Sequence, residues 1–201
     1  MGKVDDNKQQ KLESLFRSAY DLFLNQGIAK TSVHDIVQKA GVAKGTFYLY
    51  FKDKYEIRDR LIAKTAQKLF QDAHRALLKQ NIPDFEDRVI FVVDYVLKEM
   101  NKSQPILRFI SKNLSWGIFR QALERTGEGH LSTASNFTEL LMPKNAPVKL
   151  KEPEIMLFLI IELASSASFS VILENDPVRF EELKPYLYES IRAIIRNHIV
   201  L

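Results

Sequence analysis

The run from Ser32 to Tyr50 constrains this chain most. Val33, Ile36, Val37 and Ala40 recur at spacings of three and four, which makes one apolar face of a short helix. Ser32 stands before that face and Asp35 follows three residues later, a capping box in which each side chain satisfies an amide the helix start leaves free. Gly41 stops the helix, because glycine takes the left-handed backbone that side chains disfavour. Val42 and Ala43 then lead straight into a second helical segment, Lys44 to Tyr50. Two short helices joined by so tight a turn cross steeply and share one small core. Val42, Phe47 and Phe51 are expected to fill it against a preceding helix.

That preceding helix carries Leu12, Leu15, Phe16, Ala19, Tyr20, Phe23 and Leu24 as a single stripe, and Gly27 ends it. Residues 1–9 read as a flexible tail. Asp53 and Glu56 suggest another capping box, opening a helix from Lys54 to about Lys79, on the order of 40 Å long. Helical patterning continues from Asp84 or Asp87 to Met100, from Pro105 to Leu123, and from Pro153 to Leu173. Pro177 and Pro185 bracket a short link before a last helix, Pro185 to His198. No span sustains strand alternation. The fold class expected is all-α: a three-helix helix-turn-helix domain over residues 1–56, then a larger helical domain over residues 57–201.

Composition excludes several functions. Without cysteine there is neither a disulfide framework nor a cysteine zinc site, and the chain suits a reducing, cytoplasmic setting. His74, His130 and His198 sit in separate segments without metal-ligand spacing. No catalytic residue, metal or cofactor is expected, and the chain is not read as an enzyme. Ile155 to Leu173 is long and apolar, but Glu162 and the serines at 165, 166, 168 and 170 suit a buried helix better than a membrane span. Residues 1–60 hold 11 Lys/Arg against 8 Asp/Glu, while the remainder hold 18 against 17. The positive excess therefore lies in the short N-terminal part, where it steers toward phosphates.

A helix entering the major groove presents its first turn to base edges. Here that turn is Lys44, Gly45 and Thr46. Glycine in a helix costs about 1 kcal/mol relative to alanine, so Gly45 makes sense where the backbone must approach another surface closely. Lys44 reaches a phosphate or a guanine edge, and Thr46 a base or a thymine methyl. Tyr48 and Tyr50 bring hydroxyls toward the duplex backbone, unless they are ordinary half-buried aromatics. Lys54, at a helix start with free amides, suits a phosphate. Ser32 or Thr31 suits the opposite strand.

The segment T-S-V-H-D-I-V-Q-K-A-G-V-A-K-G-T-F-Y-L-Y-F-K-D-K-Y-E-I, Thr31 to Ile57, resembles the TetR family of bacterial transcriptional regulators. With the first helix the resemblance spans about 50 residues of the sequence. It implies that Lys44, Gly45, Thr46, Tyr48, Tyr50 and Lys54 fall on DNA-contacting positions, and Phe47 and Phe51 on core positions. Ala43 departs from the Ser or Thr that often caps the recognition helix, and Leu49 occupies a variable position. The implied mechanism is a repressor released from a palindromic operator by a small apolar or amphipathic effector. A DNA-bound regulator whose C-terminal domain binds a protein partner is the other reading. The effector site is expected among Tyr95, Phe109, Trp116, Phe119 and Phe137, residues that would otherwise be plain core.

Specificity on a palindrome requires two recognition helices, hence a homodimer on double-stranded DNA. The last two long helices supply the expected interface: Phe158, Ile161, Ala164, Ser165, Ser168, Leu187, Ile191 and Ile194. The pair resembles the family's four-helix dimer bundle.

Overall fold

A computed structural model describes residues 3–103, 107–109, 138, 140–143 and 147–200. Its helices are α1 (Lys3–Lys30), α2 (Val33–Ala40), α3 (Lys44–Tyr48), α4 (Lys54–Leu77), α5 (Phe85–Lys102), α6 (Pro153–Glu174) and α7 (Phe180–His198). The fold is all-α. Extended pairing among the described residues is limited to an isolated antiparallel bridge between Leu150 and Ile199. Two compact units emerge, Met1–Lys64 and Thr65–Leu201, with the division falling inside α4.

In the first unit Leu15, Ala19 and Phe23 of α1, Ile36 and Val37 of α2, Phe47 of α3, Phe51, and Ile57 of α4 are buried together as core. Val42 and Phe16 are only half-buried. Phe51 is the hub. Its ring lies 5.2 Å from Phe16, edge-on, and 5.4 Å from Phe47, within the range where aromatic pairs add to simple burial. Helix α1 begins at Lys3, so the expected tail up to residue 9 is helical where described. Gln9 bonds Glu13 one turn on, and the Tyr50 hydroxyl donates to the Lys8 carbonyl at 3.1 Å, so tertiary contact holds a stretch whose polarity alone suggests a tail. Gly27 breaks α1 with φ 81° and ψ 161°, a conformation outside the helix that glycine adopts without strain.

In the second unit α6 and α7 pack along one another, and both meet α5. Ile160, Ile161, Val171 and Ile172 of α6 and Leu187, Ile191 and Ile195 of α7 are buried in this unit. The Tyr188 hydroxyl donates to Asp94 at 2.6 Å, tying α7 to α5. Burial, and then that carboxylate, push the Tyr188 hydroxyl above its ordinary pKa. Arg192 reaches Asp87 at 2.6 Å and Arg196 reaches Glu86 at 2.9 Å, placing cations of α7 against the acidic first turn of α5.

Helix α7 starts at Phe180, five residues before Pro185, where the sequence suggests a link. There Glu182 accepts from the Arg179 amide at 3.3 Å and from its guanidinium Nε at 2.8 Å. The proline ring leaves the Glu181 carbonyl without its helical donor, and Glu181 is exposed, so water can satisfy it. Helix α6 is long and apolar enough to cross a membrane by length and composition. Eight of its residues, among them Met156, Ile160 and Val171, are buried against the chain's own helices.

Candidate nucleic-acid interface and apolar pocket

The reading head is positioned by caps visible residue by residue. Ser32 Oγ accepts from the Asp35 amide at 3.2 Å, and Asp35 accepts from the Ser32 amide at 2.8 Å. Those bonds, from the Ser32 backbone first and its hydroxyl second, hold the Asp35 carboxyl below the usual range. Gly41 sits at φ 68° and ψ 32°, and its amide and that of Val42 close the end of α2 on the Gln38 and Val37 carbonyls. Helix α3 follows with Ala43 at its cap and no side-chain capping bond, as that residue dictates.

On α3 the core and the outer face separate cleanly. Phe47 is fully buried. Lys44 and Gly45 are exposed and Thr46 is half-exposed. A methyl group in place of the Gly45 hydrogen would meet no atom within 4 Å beyond its chain neighbours and its own helix backbone. Nothing inside the protein therefore requires glycine at this helical position. Tyr48 is 52% exposed and Leu49 81%. Leu49 was not singled out as a contact in the sequence; the signal is a large apolar side chain left in water beside the recognition turn. Ser32 is exposed, although its hydroxyl is engaged with Asp35 at 2.8 Å.

Three of the expected DNA contacts are committed elsewhere. Thr31 is 1% exposed and its hydroxyl donates to the Gly27 carbonyl at 2.8 Å, so it closes the break in α1 and presents no surface to a strand. Tyr50 is half-buried and spends its proton on Lys8. The Lys54 ammonium donates to the carbonyls of Ile28 at 2.9 Å, Ala29 at 3.2 Å and Thr31 at 2.8 Å. At the same place Asp53 accepts from the amides of Tyr55 and Glu56 at 2.8 and 2.9 Å. Glu56 accepts from the Lys52 amide at 2.6 Å, the main reason its carboxyl lies below the usual range.

The second unit contains an apolar pocket of about 60 Å³. Leu69 and Phe70 of α4, Val93, Val96 and Met100 of α5, and Ile160 of α6 are among the residues that line it. Neither Tyr95 nor Phe109 lines it: Tyr95 is half-buried elsewhere on α5 and Phe109 is buried. Trp116, Phe119 and Phe137 lie outside the described residues. The pocket is thus lined mainly by aliphatic side chains, whereas aromatic density in the sequence pointed to a different stretch.

The expected interface residues divide in two. Ile161, Ala164, Ser168, Leu187 and Ile191 are buried within the chain itself and cannot meet a second copy without opening the unit. The reason is that α6 is apolar nearly all round, so α7 and α5 cover one face and leave another. Ser165 and Ile194 are half-buried, and Phe158 is 39% exposed. The uncovered face adds Ile155 at 49% and Leu159 at 39%.

Residues 15–61 match the family model described as bacterial regulatory proteins, tetR family. The uncharacterized HTH-type transcriptional regulator YvdT of Bacillus subtilis is 48% identical over 44 residues, which is 22% of this chain and 23% of that protein. A second B. subtilis regulator, YhgD, is 23% identical over 180 residues, covering 89% of this chain and 91% of its own. The crystal structure of a TetR-family transcriptional regulator from Streptomyces coelicolor superposes with a TM-score of 0.68 at 15% identity, over 94% of this chain and 99% of that one. The helix-turn-helix match and the shared all-α architecture agree on one conclusion: residues 15–61 carry a tetR-type DNA-binding helix-turn-helix, in a chain similar over most of its length to a bacterial transcriptional regulator.

Proposed function

We propose that the protein is a cytoplasmic repressor that binds a palindromic operator as a homodimer and is released when an apolar or amphipathic molecule enters the pocket beside α4. Lys44, Gly45, Thr46 and Tyr48 form the groove-facing surface, with Ser32 at its margin. One observation carries the regulatory half of this reading. Helix α4 is uninterrupted from Lys54, next to the recognition helix in sequence, to Leu69 and Phe70 on the pocket wall. At about 60 Å³ the pocket is smaller than the roughly 150 Å³ cavity that accepts benzene. A larger occupant must part α4, α5 and α6, and a displaced α4 re-aims the unit at its start.

The outward Ile155 and Leu159 support the dimer. They would equally suit a different protein, which is the second reading, and a monomeric wild-type chain would favour it. Release is tested by anisotropy of a labelled duplex against a panel of apolar and amphipathic compounds. At least one should weaken binding by about 5–150-fold, the usual range of coupling between two sites. Val93→Phe, which fills the pocket from α5, should abolish that response and leave DNA affinity unchanged. Release that persists undiminished in Val93→Phe contradicts the assignment of the pocket.

A further inference from the structure

Lys54 has the two attributes of a phosphate ligand, a positive side chain and a place at a helix start. Both are already used inside the first unit. Its ammonium has three protons, and three carbonyls accept them at 2.8, 2.9 and 3.2 Å. Those carbonyls belong to Ile28, Ala29 and Thr31, the last turn of α1 and the link into α2, where a chain leaving a helix has carbonyl lone pairs to offer; that of Ile28 also accepts the Thr31 amide at 3.3 Å. A cation is favoured there by the negative end of the helix dipole as well. Two amides of the α4 start are spoken for as well. Asp53 takes those of Tyr55 and Glu56, and a second carboxylate, Glu56, stands one turn in and pairs with Arg60. An incoming phosphate would meet two carboxylates and an ammonium without a free proton.

We infer that Lys54 is a positioning residue: it locks the start of α4 to the α1–α2 junction and so sets the orientation of the reading head, without itself holding a phosphate. The lock joins three elements through one side chain. Thr31 immediately precedes the Ser32 cap of α2, and Lys54 is the first residue of α4. A movement of α4 therefore pulls on the carbonyls that frame α2. Breaking the lock costs order in the head, and DNA binding suffers through geometry. The number of counterions released on binding does not change.

This rests on the reading that α3 carries the phosphate and base contacts, so the test includes Lys44. The probe is a random-sequence duplex of about 30 base pairs, which reports the phosphate contribution without an operator. Lys54→Met keeps the aliphatic stem and removes the charge. It should lower the melting temperature of the free protein by roughly 5 °C or more, the scale of a lost charged hydrogen bond. It should leave the log–log salt slope of binding unchanged. Lys44→Ala should do the opposite, flattening the slope by about one unit with the melting temperature unmoved. A Lys54→Met slope lower by about one, or an unchanged melting temperature, overturns the inference. An unchanged slope in Lys44→Ala instead overturns the assignment of the α3 face. Should Lys54→Met fail to fold, the wild type labelled with ¹⁵N-lysine decides. A slowly exchanging Lys54 ammonium signal in the free protein supports the lock; a signal that appears only with DNA overturns it.

Discussion

Leu159→Arg is expected to convert a dimeric regulator into a folded monomer and to weaken operator binding by about 10²–10⁴-fold, the gain that linking two binding modules typically supplies. Leu159 lies on the outer face of α6 at 39% exposure, so an arginine there stays solvated in the single chain. In a dimer the same guanidinium would be buried without a partner, which costs several kcal/mol. The contrast with Ala164 makes the test specific. Ala164 is 9% exposed and lines the pocket, so Ala164→Arg should unfold the second unit rather than split a dimer. Sedimentation at micromolar concentration reads the first effect and circular dichroism the second. A Leu159→Arg variant that remains dimeric would show that α6 presents its outer face to something else.

Gly45→Leu separates folding from reading more sharply. Within the protein the position has room: Gly45 is exposed, and a Cβ there would meet nothing within 4 Å beyond its chain neighbours and its own helix backbone. Replacing glycine by leucine in an exposed helix should add stability, on the order of 0.5–1 kcal/mol. Binding should nonetheless fall. A four-carbon side chain on the first turn of α3 would hold the helix away from base edges that Lys44 and Thr46 must reach. Losing one or two such contacts costs roughly 1–3 kcal/mol each, about a 100-fold drop on the operator, with a much smaller change on random duplex. A variant that melts higher and still binds the operator normally would place the DNA face elsewhere.

The reading head was largely legible because its signals are local. The Ser32–Asp35 box, the left-handed Gly41 and the two-residue turn act within a few positions, so residue type nearly determines geometry. Phe47 and Phe51 were legible as core for the same reason. Non-local effects were hidden. The acceptors that occupy Lys54 lie 23 to 26 residues earlier in the chain, and no periodicity announces them. Likewise the all-round apolar α6 revealed that it is covered, but not by which neighbour on which face. Five expected interface residues consequently turned out to be the chain's own core. Pro185 misled in the opposite sense: a proline one turn inside an exposed helix start is tolerated, because water replaces the missing donor. The aliphatic pocket is not legible in the sequence, because leucine and valine at helical spacing look the same whether they meet a neighbour or a void.

The central claim is that two copies of α3 read one duplex. Selection of bound duplexes from a random pool by the full-length wild-type protein, followed by sequencing, tests it directly. The account predicts an enriched motif with two-fold symmetry, its half-sites centred about 34–36 Å apart, or a multiple of one helical turn. Enrichment of a single unrepeated half-site, or of no motif at all, would contradict it.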